Sequence, residues 1–178
     1  MTILEETILF TLSQVKKLGK ENLSKIELFK LIYLIEVESY RFVGESFFNK
    51  EVLFARYENG PISVDIYKAI DNLKYGSYIE IKEEKKDDWG EPRHSIYLKK
   101  ELKKTDKDKL KTEYKMFINS VLSSYGKLSI KSLKKVVYET EPMVEVQKKE
   151  TKGILKGFNL NFGTIPLDND FKEVFKNG

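Results

Sequence analysis

The stretch SKIELFKLIYLIEVESYRFVG, Ser24 to Gly44, decides the architecture. It opens with Ser24-Lys-Ile-Glu27, a hydroxyl and a carboxylate three residues apart that can satisfy each other's free backbone N–H groups at a helix start. It closes on Gly44, which can take the left-handed conformation that ends helices. Between them Ile26, Leu28, Phe29, Leu31, Ile32, Leu34, Ile35, Val37, Phe42 and Val43 cover most of the circumference. A helix that is apolar nearly all round must be buried on several sides. The pattern predicts a spine on which the rest of the chain packs.

Working outward, Thr2-Ile-Leu-Glu5 predicts a first helix that ends at Gly19. After the spine, Phe47 to Tyr57 reads as extended, a short strand that Gly60-Pro61 breaks. A third helix runs from that break to about Lys74, with Ile66, Ala69, Ile70 and Leu73 forming its core stripe. Ser77 to Glu83 and Arg93 to Leu98 alternate apolar and polar residues about a polar tip, Glu84 to Pro92, and predict a hairpin. Further helices are expected over Thr105–Tyr125 and Ser129–Tyr138, and a short one near Phe171 to Phe175. The fold class is mainly α with a small β-hairpin (α+β). A winged-helix-like unit over 1–100 carries a helical C-terminal extension, 101–178, packed on it as one compact body.

Composition limits the chemistry. The chain has 178 residues, with 40% hydrophobic and 34% charged, enough for a core under a surface dense in Lys and Glu. It has no cysteine and a single histidine, His94, which argues against thiol catalysis and a catalytic zinc; His94 reads as a surface or strand residue. No metal and no cofactor is expected. The start of the chain lacks a basic leader, and the longest apolar run, Leu31 to Ile35, is far below the ~20 residues of a membrane span. A cytoplasmic protein without a membrane partner is expected. The net charge of +4 is concentrated at residues 101–135, where ten basic side chains face four acidic ones.

Three surfaces could carry chemistry. The first is Arg56-Tyr57-Glu-Asn59-Gly60-Pro61-Ile-Ser63 with Tyr67 beyond it. It is either a turn that starts a helix or a platform presenting Arg56, Tyr57, Asn59, Ser63 and Tyr67 to a partner. Phe158 and Phe162, in a glycine-punctuated tail, either pack on the core or join that contact. The second is nucleic acid, which the winged-helix order invites. Its third helix, however, sets Asp65 and Asp71 against Lys68 and Lys74 and has no Arg or Gln to read base edges. Weak nonspecific contact through Lys99–Lys115 and Lys127–Lys135 is the most that charge supports. The third is Asp71 with Glu80-Ile-Lys82, the spacing of a metal-dependent nuclease, which ordinary Glu/Lys alternation on a strand also produces.

Several short motifs together resemble the Panacea family, the SocA-like antitoxin domain. They are Lys30-Leu31-Ile-Tyr33 on the spine, Gly44 at its end, Gly60-Pro61 after Arg56-Tyr57, Tyr125-Gly126-Lys-Leu-Ser129 before a helix, and Thr140-Glu-Pro142-Met143 after it. Ile165-Pro-Leu167 with Phe171 is similar to the family's closing segment. Met143 stands where an aromatic is usual, and Asn59 separates the tyrosine from Gly-Pro. The resemblance implies an antitoxin, often phage- or mobile-element-associated, that neutralises a cognate toxin by direct contact. It implies no catalytic residues. The alternative is a winged-helix DNA-binding transcriptional regulator.

Overall fold

The computed structural model describes residues 1–84, 93–100, 110–150 and 157–168. Helix α1 (Ile3–Lys17) and the spine α2 (Lys25–Phe42) both begin with complete capping boxes, Thr2/Glu5 and Ser24/Glu27. Between them lies β1 (Asn22–Ser24), a strand too short to leave an alternating signature. Two three-residue strands follow, β2 (Ala55–Tyr57) and β3 (Gly60–Ile62), then α3 (Val64–Tyr75). Strands β4 (Ile79–Glu84) and β5 (Arg93–Leu98) come next, and then α4 (Thr112–Tyr125), α5 (Ile130–Tyr138) and α6 (Glu141–Glu150).

Helices and small antiparallel sheets make the architecture α+β. β4 and β5 pair from Ile79↔Leu98 to Glu84↔Arg93, the expected hairpin, and β1 adds to the other edge of β5 in the order β1-β5-β4. His94 is a half-buried residue of β5, opposite Glu83.

α2 is the spine the sequence implies: Leu28, Leu31, Ile32, Tyr33, Ile35 and Val37 have no exposed surface. α1, α4 and α5 pack around it. Four charged residues of α2 are buried as well, Glu27, Lys30, Glu36 and Glu38, and each holds a different part of the chain. Glu27 pairs with Lys20 at 3.2 Å and Arg93 at 3.5 Å. Lys30 donates to the Asn59 carbonyl at 2.6 Å. Glu36 accepts from the backbone N–H groups of Phe47 and Phe48 and from the Ser46 hydroxyl. Glu38 accepts from Arg41 and from the Tyr125 hydroxyl. Buried charges persist only when paired and hydrogen-bonded. At the end of α2, Gly44 has φ +83° and a Cβ there would meet Leu167 Cδ1 at 3.2 Å, so both backbone and space favour glycine.

Several boundaries differ from the sequence expectations. Phe47 to Tyr57 is a strand only at its end, because Glu36 ties its first residues into turns. Gly60-Pro61 does not break the chain into a helix; both residues lie in β3, and α3 starts after Ser63, whose hydroxyl accepts the Asp65 N–H. Helix α6 was not foreseen, and Pro142 sits in its first turn, where a missing N–H has no cost. Helix α4 begins at Thr112; residues 105–109, the hairpin tip at 85–92 and the short helix expected at 171–175 lie outside the described residues.

Candidate partner-binding site

The ribbon of β2 and β3 is closed by Glu58-Asn59 and pairs Ala55↔Ile62, Arg56↔Pro61 and Tyr57↔Gly60. Residues 157–160 add to its other edge. The Arg56 N–H donates to the Phe158 carbonyl, Gly157 N–H to the Arg56 carbonyl and Leu160 N–H to the Phe54 carbonyl, each at 2.8 Å.

Successive side chains of an extended segment point to opposite faces. Here Val52, Phe54 and Arg56 are buried while Leu53 and Tyr57 are exposed; across the ribbon Pro61 and Ser63 are buried and Val64 exposed. The residues expected to act as one platform are therefore split. Arg56 points inward, its side chain 9% exposed, with Glu150 Oε1 3.2 Å from Nε and the Tyr138 ring centroid 5.1 Å from Cζ. Asn59 is exposed, but its carbonyl is taken by Lys30. Ser63 is the buried cap of α3. Phe162 is half-buried among Tyr33, Tyr40 and Phe54, at ring separations of 5.3–5.8 Å. Phe158 is exposed.

What the outer face does present is apolar: Leu53 at 64% exposure, Tyr57 at 52%, Val64 at 63% and, one helical turn on, Tyr67 at 44%. The Leu53 N–H donates to Asp65, which joins the segment to the start of α3. Leu53 and Val64 were not singled out from the sequence, because Val52-Leu-Phe-Ala-Arg-Tyr57 shows no apolar-polar alternation from which an outer face could be read. Beside this face lies a cleft of about 730 Å³ between residues 44–54 and 159–163, lined by Leu53, Phe54, Asn159 and Phe162 among others. At its rim Asn49 and Lys50 hold φ of 52° and 64°, the left-handed region that side chains with a Cβ rarely take.

Lys30, Tyr33, Gly60 and Thr140, from the short motifs of the sequence, hold this ribbon from beneath together with Tyr138. Tyr33 and the Thr140 hydroxyl lie 2.8 Å apart; Thr140 donates onward to the Val137 carbonyl, so Tyr33 is the donor. Burial pushes the Tyr33 hydroxyl pKa above its ordinary value. Gly60, φ +109°, would bring a Cβ to 3.3 Å from Lys30 Nζ and 3.5 Å from the Tyr138 ring. The Tyr138 hydroxyl donates to the Glu58 carbonyl at 3.3 Å. Lys30, Tyr33, Gly60, Tyr138 and Thr140 thus form one joint between α2, the ribbon and α5. A family model described as antitoxin SocA-like, Panacea domain, matches residues 28–142, most of the chain and all of this joint. The chain belongs to that family. The match ends before Ile165-Pro-Leu167 and Phe171, so the wider motif resemblance exceeds it. Neither a curated protein nor a solved structure matches the chain.

The residues of the nuclease spacing lie at the surface. Glu80 and Lys82 face each other on β4 as an exposed pair 3.7 Å apart, with Lys82 over the Tyr97 ring, and Asp71 is an exposed residue of α3. Among the described residues no group of three acidic, histidine or cysteine side chains could hold a metal, and no helix is long and apolar enough to cross a membrane.

Burial, with Lys134 and Arg56 nearby, lowers the Lys30 pKa from 10.5 to about 8. The unfolded chain then binds the extra proton between those values, so stability should rise with pH from about 8 to about 10. Tyr125 works in the opposite sense: burial and Glu38 push it up to about 12, so its contribution is lost as pH climbs from 10 towards 12. Urea midpoints are expected to peak near pH 10, with the rising limb absent in Lys30→Met. A wild-type midpoint that is flat from pH 8 to 10 would show that Lys30 is solvated.

Proposed function

We propose that this protein is an antitoxin that binds and neutralises a cognate toxin through the outer face of the β2–β3 ribbon. One observation carries the reading: Leu53, Tyr57, Val64 and Tyr67 stay exposed together although the chain fills a core elsewhere. Contiguous exposed apolar side chains mark interaction sites, and tyrosine is enriched among energetic anchors. Asn59 and Phe158 flank the contact; Arg56, Ser63 and Phe162 shape it from below. In this reading residues 1–100 and 101–178 act as one unit.

The test is co-expression with the products of the genes that neighbour this one, with growth and affinity measured for each variant. Leu53→Ala and Tyr57→Ala should each weaken binding by a factor of ~10 or more, since an anchor contributes ~2 kcal/mol. Tyr75→Ala, at 95% exposure on the far end of α3, should bind as wild type. Full neutralisation by a Leu53→Ala/Tyr57→Ala/Val64→Asp variant would place the contact elsewhere.

A second reading, a DNA-binding regulator, draws on element order. The order α1, β1, α2, β2, β3, α3, β4, β5, with β1 beside β5, is compatible with a winged-helix plan into which the β2–β3 ribbon is inserted. The charges of α3 oppose it, and exposed lysines such as Lys127, Lys131 and Lys135 lie beyond the hairpin. DNA binding is expected to be sequence-independent and to fall steeply with salt. Tight binding to one operator at physiological salt would restore the regulator.

A further inference from the structure

The inward face of the ribbon carries an excess of positive charge. Arg56 is nine-tenths buried, yet among the described residues its Nε and Nη1 have no hydrogen-bond acceptor. The carboxylate in contact, Glu150, brings Oε1 to 3.2 Å but outside hydrogen-bonding geometry, and that oxygen has no hydrogen-bond donor among the described residues. Lys30, with three donor positions, has the Asn59 carbonyl as its acceptor. Lys134 Nζ lies 5.7 Å from the centroid of the Tyr138 ring that Arg56 also covers. Arg56 and Lys134 therefore share one aromatic ring, Lys30 lies close enough to both to feel their charge, and the carboxylate in contact with Arg56 is poorly aligned. Buried guanidinium N–H groups without acceptors are costly, and the planar fork they belong to matches the oxygens of a carboxylate or phosphoryl group.

We propose that Arg56, Lys30 and Lys134 form a binding site for one oxyanion, a carboxylate or a phosphoryl group, that displaces Glu150. Glu150 is the last residue of α6 and its side chain is 22% exposed, so its departure disturbs only a helix end. Lys134 is exposed and marks the way in. The incoming anion takes aligned hydrogen bonds from the guanidinium, with Lys134 at the mouth and Lys30 behind. The site lies on the opposite face of the ribbon from the proposed toxin contact, and either can fail without the other.

The experiment needs no toxin. Inorganic phosphate and, separately, acetate are titrated calorimetrically into the full chain, with chloride holding ionic strength constant. Saturable one-to-one binding is expected for at least one of them. Glu150→Gln, which removes the internal competitor, should tighten it by about tenfold, and Lys134→Gln should weaken it by about fivefold, as single charge contacts do. Lys127→Gln removes a charge outside the cluster and should change nothing. Arg56→Gln should abolish binding; if that variant does not fold, Glu150→Gln and Lys134→Gln decide alone. Preference for acetate identifies a carboxylate-bearing ligand, and preference for phosphate a phosphoryl one. Unsaturable heats with both anions, or a Glu150→Gln variant that binds no more tightly than wild type, would overturn the site and leave Glu150 as the permanent counterion of Arg56.

Discussion

Leu31→Ala is expected to cost ~2–5 kcal/mol of stability, the range for truncating a fully buried leucine that leaves a cavity. Leu31 has no exposed surface and lies midway along α2, with neighbours Leu28, Ile32, Leu34 and Ile35 equally enclosed. Because α2 is packed on several sides, no single neighbour can collapse into the space. Urea denaturation should show a lower midpoint with an unchanged slope, since the folded surface is the same. On the proposed antitoxin reading, neutralisation should fall only in proportion to the folded fraction. Tyr75→Ala, on an exposed position, should stay within ~0.5 kcal/mol of wild type. A loss below ~1 kcal/mol at Leu31 would mean that the spine has an open side.

The spine was legible because its apolar residues outnumber what one helical face can hold, and because both capping boxes are local signals. The buried charges of the same helix were not. Glu27, Lys30, Glu36 and Glu38 look like ordinary surface residues in a chain rich in Lys and Glu. Their partners, among them Arg93, the Asn59 carbonyl, the Phe47 N–H and Tyr125, lie up to 87 residues away. Long-range pairing also hid β1, whose three residues gain strand geometry only by joining β5. At the site, Arg56-Tyr57-Glu-Asn59 reads as one polar turn. Strand alternation, with the Gly60-Pro61 pair inside β3, sends Arg56 inward and Tyr57 outward.

Phe162→Ala separates the two meanings that the sequence left open for the aromatic tail. The ring lies 5.8 Å from Tyr33, 5.3 Å from Tyr40 and 5.8 Å from Phe54, so it fastens residues 157–163 to α2 and to the ribbon. Aromatic pairs add ~0.5–1.5 kcal/mol each beyond area burial. With Phe162 only half-buried, the expected loss is ~2–3 kcal/mol, at or below the low end for Phe→Ala. The loss should be local first. The Arg56 and Leu160 amides, which donate to the Phe158 and Phe54 carbonyls, should exchange hydrogen faster, while amides in the middle of α2 keep their protection. Phe158→Ala, at an exposed position, should change neither stability nor exchange by a comparable amount. If Phe162→Ala leaves the urea midpoint and the Leu160 exchange rate as in wild type yet abolishes toxin neutralisation, the ring belongs to the partner contact and not to the core.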